Sequence, residues 1–335
     1  MITRLSDLFL LILVSTAASL IGGPFWIRLT RRLGLVDLPG SAPHKTHRVP
    51  TPLAGGLLLA SSLAVAYVLL RPEVSRALAG MLVGAALVVA GGIADDRKAL
   101  APVAKLGMQI VAALVLIAGG VQVHITRLPV VDLLVTMVWV IGLTNAFNFV
   151  DSMDGLALGL AAVASAFFML VTIDSAQLEL ASLSAALLGA VAGTLFYNVS
   201  PARLFLGDSG SQLLGYLLAA LGIAYIPGQA GLPQELTWFI PILVLGVPIF
   251  DTTLVVVSRV HRRQPVYHAG LDHTYHRLIA LAAFVVMEAP VWLANAVFAT
   301  LVAVGLVIIV VLEREPSARR ERSGTPPPEP NGKPR

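Results

Sequence analysis

Cysteine is absent from all 335 residues. That excludes disulfides, thiolate metal centres and cysteine nucleophiles, and it leaves the redox compartment undetermined. Charge is also scarce: 13% of residues are Asp, Glu, Lys or Arg, against about 25% in an average soluble domain. Apolar residues make up 57% of the chain and the mean hydropathy is +0.84. A soluble globular protein is excluded, and the composition is that of an all-α, polytopic integral membrane protein. The formal net charge of +4 is read as the Lys/Arg excess of cytoplasmic loops, with no nucleic-acid partner.

Long apolar runs are abundant. The first, Leu8 to Leu20, resembles a signal-peptide core, but apolar character continues through Phe25, Trp26 and Ile27 without a small-residue cleavage site, so it reads as a retained helix. Further spans are expected near 53–70, 77–94, 103–121, 129–147, 156–173, 178–197, 210–226, 237–258 and 289–312, which gives about ten transmembrane helices. Leu278 to Leu312 is long for one span and short for two, with a break at Glu288-Ala289-Pro290, and splitting it would give eleven. Residues 1–312 form one transmembrane catalytic domain in this reading, and 313–335 a disordered, Pro-rich charged tail.

Alternate loops differ sharply in basic residues. One set carries Arg28, Arg31, Arg32, Lys45, Arg48, Arg97, Lys98, Lys105, Arg203, Arg259, Arg262, Arg263 and Arg277, and the other only Arg71, Arg76 and Arg127. The positive-inside rule makes the first set cytoplasmic. Every polar cluster falls on that same side.

The central cluster is Asn145-Ala146-Phe147-Asn148 through Asp151 to Asp154-Gly155, at the end of an apolar run. A carboxylate at membrane depth costs on the order of 2.5–3.5 kcal/mol unless it faces a partner, a cation or water, so a functional site is the default reading. If a helix begins there, Asp151 and Asp154 share a face with Asn148; the plainer alternative is an Asp N-cap. Asp95-Asp96 closes a helix, where the macrodipole disfavours anions; Lys105 starts the next, with Gln109 one turn on. Gly207-Asp208-Ser209-Gly210-Ser211 forms a tight turn into a helix N-terminus, where free N–H groups suit phosphate and a carboxylate suits Mg²⁺. It lacks the Gly-Lys-Ser/Thr of a Walker loop. Lys45 and His47, beside prolines and Gly55-Gly56, read as a basic lip or as a plain positive-inside anchor. His273, His276 and Arg277 suit a phosphate clamp better than zinc, for which a third ligand is missing. Asp251 lies inside an apolar span and has no assignment.

Five ordered motifs between residues 40 and 280 carry a resemblance. They are Lys45-Thr46-His47 with Pro52 to Gly56, Asp95-Asp96 with Lys105, Asn145 to Leu156, Gly207 to Ser211, and His273 with His276-Arg277-Leu278. Together they resemble the polyprenyl-phosphate N-acetylhexosamine-1-phosphate transferase family, which includes the phospho-N-acetylmuramoyl-pentapeptide translocase. Two positions depart from the family pattern: Tyr275 precedes His276 where many members have two adjacent histidines, and Ser152 stands where glycine is common.

The resemblance implies Mg²⁺-dependent (or Mn²⁺-dependent) transfer of a sugar-1-phosphate from a UDP-sugar to a polyprenyl phosphate, releasing UMP, at the cytoplasmic face of the inner (plasma) membrane. Asp208 is implied as metal ligand, with Asn148 and Asp151 beside it. Asp95 is implied to orient or deprotonate the lipid phosphate, with Asp96 in support and His276 also in the catalytic set. Lys45, His47, Lys105, Asn145, Asn148, Asp151, Asp154, Asn198, His273 and Arg277 are implied to hold the substrates. The segment His268 to Leu278 favours the N-acetylglucosamine-1-phosphate branch; a homodimer is left open. The rival readings are an intramembrane prenyltransferase, for which the Asp spacing is wrong, and a cation-coupled transporter, for which no internal repeat is visible.

Overall fold

The computed structural model describes residues 5–39, 49–126, 128–226 and 239–263. The chain divides into two compact units, Met1–His273 and Thr274–Arg335, and all described residues lie in the first. Lys45, His47, His273, His276 and Arg277, the 278–312 region and the tail lie outside the described residues.

Ten helices are described: α1 (Leu5–Arg32), α2 (Gly55–Leu70), α3 (Arg76–Arg97), α4 (Pro102–Ala118), α5 (Pro129–Val150), α6 (Leu156–Asp174), α7 (Leu178–Asn198), α8 (Gly207–Ala224), α9 (Phe239–Val244) and α10 (Gly246–His261). Five of them, α1, α3, α5, α6 and α7, are long and apolar enough to cross a membrane, and α2 and α4 are shorter apolar helices. Their starts follow local chemistry. Proline occupies the first turn of α4 and α5, where its missing N–H is not needed. The Ser75 side chain caps α3 by accepting from Leu78 N at 3.2 Å.

The expected spans up to residue 226 each match a helix within a few residues, and three features differ from expectation. The span expected over 237–258 is divided at Leu245. The fold is not purely helical: Val36–Asp37 (β1) pairs antiparallel with Thr51–Pro52 (β2), beside the stretch read as a basic lip. Residues 151–155 are a turn between α5 and α6, so Asp151 and Asp154 do not share a helix face. Gly155, with φ +78°, is the N-cap of α6, so Asp154 is not its cap.

Buried apolar side chains run through the middle of the bundle, with α8 enclosed along almost its whole length and packed against α3 and α5. Small residues permit close approach, as expected where lipid supplies no hydrophobic drive between helices. A Cβ on Gly189 would lie 2.3 Å from Ile12 O, and Ser19 Oγ donates to Ala190 O at 3.0 Å, joining α1 to α7. Because the helices alternate in direction, the C-terminal ends of α3, α5 and α7 and the N-terminal ends of α2, α4, α6 and α8 fall at one end of the bundle.

Candidate functional site at one end of the helix bundle

At that end, α8 begins against α2 and α3. Gly207 has φ +67°, a left-handed conformation that glycine adopts without strain, and a Cβ there would meet Asp96 Oδ2 at 2.7 Å. The turn delivers its N–H groups to Asp96: Asp208 N donates to Oδ1 at 2.8 Å, and Ser209 N and Oγ donate to Oδ2 at 3.2 and 2.7 Å. One carboxylate from the end of α3 therefore caps the start of α8. The approach is close enough that a Cβ on Gly92 would meet Ser209 Cα at 2.3 Å, and one on Gly56 would meet Ser209 Oγ at 2.3 Å. The Pro52-to-Gly56 motif completes the seat: Phe205 N donates to Pro52 O at 2.9 Å and Gly55 N to Phe205 O at 3.0 Å.

The side chains that project from this seat form a mixed-charge cluster. Lys105 Nζ bridges Asp208 Oδ2, at 2.8 Å, and Asp95 Oδ2. Asp95 is 8% exposed and also accepts from Leu100 N at 2.6 Å. Asn148 Nδ2 donates to Asp208 Oδ1 and to Ser211 Oγ, both at 2.9 Å. Four helices thus place Asp95, Lys105, Asn148 and Asp208 together, with Asp96 directly behind.

Asp151 lies past the end of α5. Enclosure by protein desolvates its carboxyl, and the charges of Asp208, Asp96 and Asp154 add to the effect, so it is pushed well above the usual carboxylate range. One lysine faces several carboxyl groups here, and their mutual repulsion is relieved by protonation, the direction in which Asp151 is pushed, or by a cation. Among the described residues no three His, Asp or Glu side chains form a ready-made metal cage. The donor set nevertheless fits Mg²⁺, which keeps several waters and takes one or two carboxylates plus substrate phosphate oxygens. Asp208 and Asp151 are the residues suited to hold it. Asn148 presents its amide nitrogen to Asp208, so it supports that carboxylate rather than facing it with its oxygen.

Three expected substrate-binding residues have structural partners. Asn198, 2% exposed, accepts from Gly155 N at 2.9 Å and donates to Leu204 O at 3.0 Å, tying the start of α6 to the loop before α8. Asp154 accepts from Ala202 N at 3.1 Å. Asn145 lies one turn deeper than Asn148 and donates to Gln109 Oε1 and Ile141 O, both at 2.8 Å. The sequence reading did not single out Gln212, which accepts from Gln109 Nε2 at 3.1 Å; its signal is the single side-chain amide of α8, four residues after Asp208. Asp251 and Arg259 are both buried on α10, and the Arg259 guanidinium sits 5.9 Å from the Phe149 ring centroid. Asp132, at the other end of α5, caps the local loop by accepting from Thr126 N at 2.8 Å and Thr126 Oγ1 at 3.0 Å.

Membrane-length helices with carboxylates, a lysine and amides gathered at one end define a multi-pass membrane protein with a polar site at its helix termini. Residues 78–226, which contain most of that site, match the family described as glycosyl transferase family 4. A probable undecaprenyl-phosphate N-acetylglucosaminyl 1-phosphate transferase of Bacillus subtilis is 30% identical over 289 residues, covering 83% of this chain and 78% of that protein. A decaprenyl-phosphate N-acetylglucosaminephosphotransferase of Mycobacterium tuberculosis is 30% identical over 76% of this chain and 71% of its own length. A phospho-N-acetylmuramoyl-pentapeptide-transferase of Symbiobacterium thermophilum is also 30% identical, over 76% of this chain and 85% of its own. The chain belongs to this family of polyprenyl-phosphate N-acetylhexosamine-1-phosphate transferases.

Proposed function

We propose that the protein transfers N-acetylglucosamine-1-phosphate from UDP-N-acetylglucosamine to undecaprenyl phosphate, releasing UMP, at the cytoplasmic face of the plasma membrane. The observation that carries this reading is the meeting of Asp95, Lys105, Asn148 and Asp208 from four helices at one end of a membrane-length bundle. The family supplies the reaction class, and relatives named for N-acetylglucosamine transfer favour that donor. The site lies at the end of the bundle that also carries Arg28, Arg31, Arg97, Lys98 and Arg203, and their excess over the other end supports a cytoplasmic orientation.

In this reaction a phosphate oxygen of the lipid attacks the donor's β-phosphorus in line, and the bond from that phosphorus to the bridging oxygen breaks, so UMP leaves with the electron pair. Such chemistry needs positioning and neutralisation of charge more than covalent help. Asp95, held by Leu100 N and Lys105, is suited to orient the lipid phosphate and take its proton. Lys105 supplies positive charge between the two carboxylates. Asp96 keeps Asp208 in place through the backbone rather than facing the substrates. Asp208 and Asp151 would hold Mg²⁺, or Mn²⁺, which would supply charge neutralisation for the donor pyrophosphate. Lys45, His47, His273, His276 and Arg277 complete the phosphate-binding set in this proposal.

The test is UMP release by detergent-purified protein with undecaprenyl phosphate, Mg²⁺ and a panel of UDP-sugars. Release with UDP-N-acetylglucosamine, abolished by EDTA and restored by added Mg²⁺, is the expected result. Release only with UDP-N-acetylmuramoyl-pentapeptide would replace the donor, and no release with any donor would overturn the reading.

A further inference from the structure

Beneath the site lies a second polar layer. Gln109 follows Lys105 by four residues on α4, Gln212 follows Asp208 by four on α8, and Asn145 precedes Asn148 by three on α5. At helical spacing each amide therefore sits one turn below a site residue on the same face. The three are joined to one another. Gln109 and Asn145 bond reciprocally, Asn145 Nδ2 donating to Gln109 Oε1 at 2.8 Å and Gln109 Nε2 donating to Asn145 Oδ1 at 3.3 Å. Gln109 Nε2 also donates to Gln212 Oε1 at 3.1 Å. Gln109 and Gln212 are 4% and 6% exposed, deep among apolar side chains.

We propose that Gln109 and Gln212 are positioning residues for the transfer, forming with Asn145 a neutral clasp that sets the axial register of α4, α5 and α8. The register fixes the separations of Lys105, Asn148 and Asp208, so the clasp acts on the reaction through them. This inference rests on the transferase reading above. Apolar helix faces in lipid are held by van der Waals packing, which is non-directional. Side-chain amides add directional contacts, lost when an axial slip carries donor and acceptor beyond about 3.5 Å. Amides also suit the place chemically. They span three helices without adding charge beneath a site whose own charge balance depends on one lysine and several carboxylates.

A clasp and a merely stabilising network predict different kinetics. The experiment measures kcat, the KM for UDP-N-acetylglucosamine and the thermal unfolding midpoint in detergent. The variants are Gln212→Met, which keeps shape but removes the acceptor, and the triple Gln109→Leu/Asn145→Leu/Gln212→Leu, which leaves no buried amide unpaired. The clasp predicts that Gln212→Met lowers kcat by about tenfold or more with KM within about twofold, because small misplacements of reacting groups are costly. It also predicts that the triple variant unfolds within about 3 °C of wild type yet keeps the low kcat. A kcat within about twofold of wild type in Gln212→Met, or in a folded triple variant, would overturn the proposal. Wild-type protein that releases no UMP with any donor would instead overturn the transferase reading itself.

Discussion

Asp208 takes donors on both of its oxygens, from Asn148 on one side and Lys105 on the other, while Asp96 holds its backbone N–H. An isosteric Asp208→Asn change keeps that shape and removes the charge. Turnover is expected to fall by at least about a hundredfold while the protein stays folded and membrane-inserted; UMP release and size-exclusion behaviour check both parts. Lys105 offers a complementary test. Lys105→Met leaves buried Asp95 beside Asp208 without its cation, so the thermal midpoint is expected to drop, and adding Asp95→Asn is expected to restore the midpoint but not the turnover. Asn198 belongs to a different class. Both ends of its amide are held by backbone groups, so Asn198→Ala is expected to cost about 1–3 kcal/mol of stability, with little change in the donor KM of the folded fraction. These backbone partners were not legible in the sequence. Asn198 meets Gly155, 43 residues away, and a polar residue beside a motif carries no local sign of whether it faces substrate or backbone. The acidic pair, Lys105 and the Gly-Asp-Ser-Gly-Ser turn were legible, because charge at helix ends in an apolar chain is expensive enough to stand out.

The elements meet through glycine. Gly92 and Gly56 let α3 and α2 approach Ser209 so closely that a methyl group at either position would occupy space already filled by α8. Gly92→Ala and Gly56→Ala are therefore expected to reduce folded yield and the unfolding midpoint. Gly107→Ala and Gly142→Ala meet nothing within 4 Å and are expected to be neutral or to stabilise by about 0.5–1 kcal/mol through helix propensity. Thermal unfolding of the four variants in one detergent decides the matter; equal effects in both pairs would contradict this packing account. At this scale the sequence was informative where an element is long. A predominantly apolar run of about twenty residues announces a helix such as α5 or α6. A two-residue strand like Val36–Asp37 has no period to read, and the 151–155 turn was hidden because Asp-Ser-Met-Asp-Gly suits a helix start and a turn equally well.

For the molecule as a whole, helix alternation gathers the charged loops and the site at one end, so one orientation in the membrane decides access to a water-soluble donor. The lack of cysteine makes that testable without background. Lys98→Cys is expected to resist a membrane-impermeant maleimide in intact cells and react after permeabilisation, whereas Arg71→Cys reacts in intact cells; the reverse pattern would place the site on the other face. The positions of the helices up to residue 226 were readable from the apolar runs. The pairing of α8 with α3 and α5 was not, because it depends on side-chain shape across residues far apart in the chain. A cation-dependent phosphosugar transfer carried out by this site is tested by UMP release with UDP-N-acetylglucosamine and undecaprenyl phosphate, run in parallel on wild type and Asp208→Asn. Mg²⁺-dependent release from wild type, abolished by EDTA, is expected, with none above background from the variant. Equal release from both proteins would contradict it.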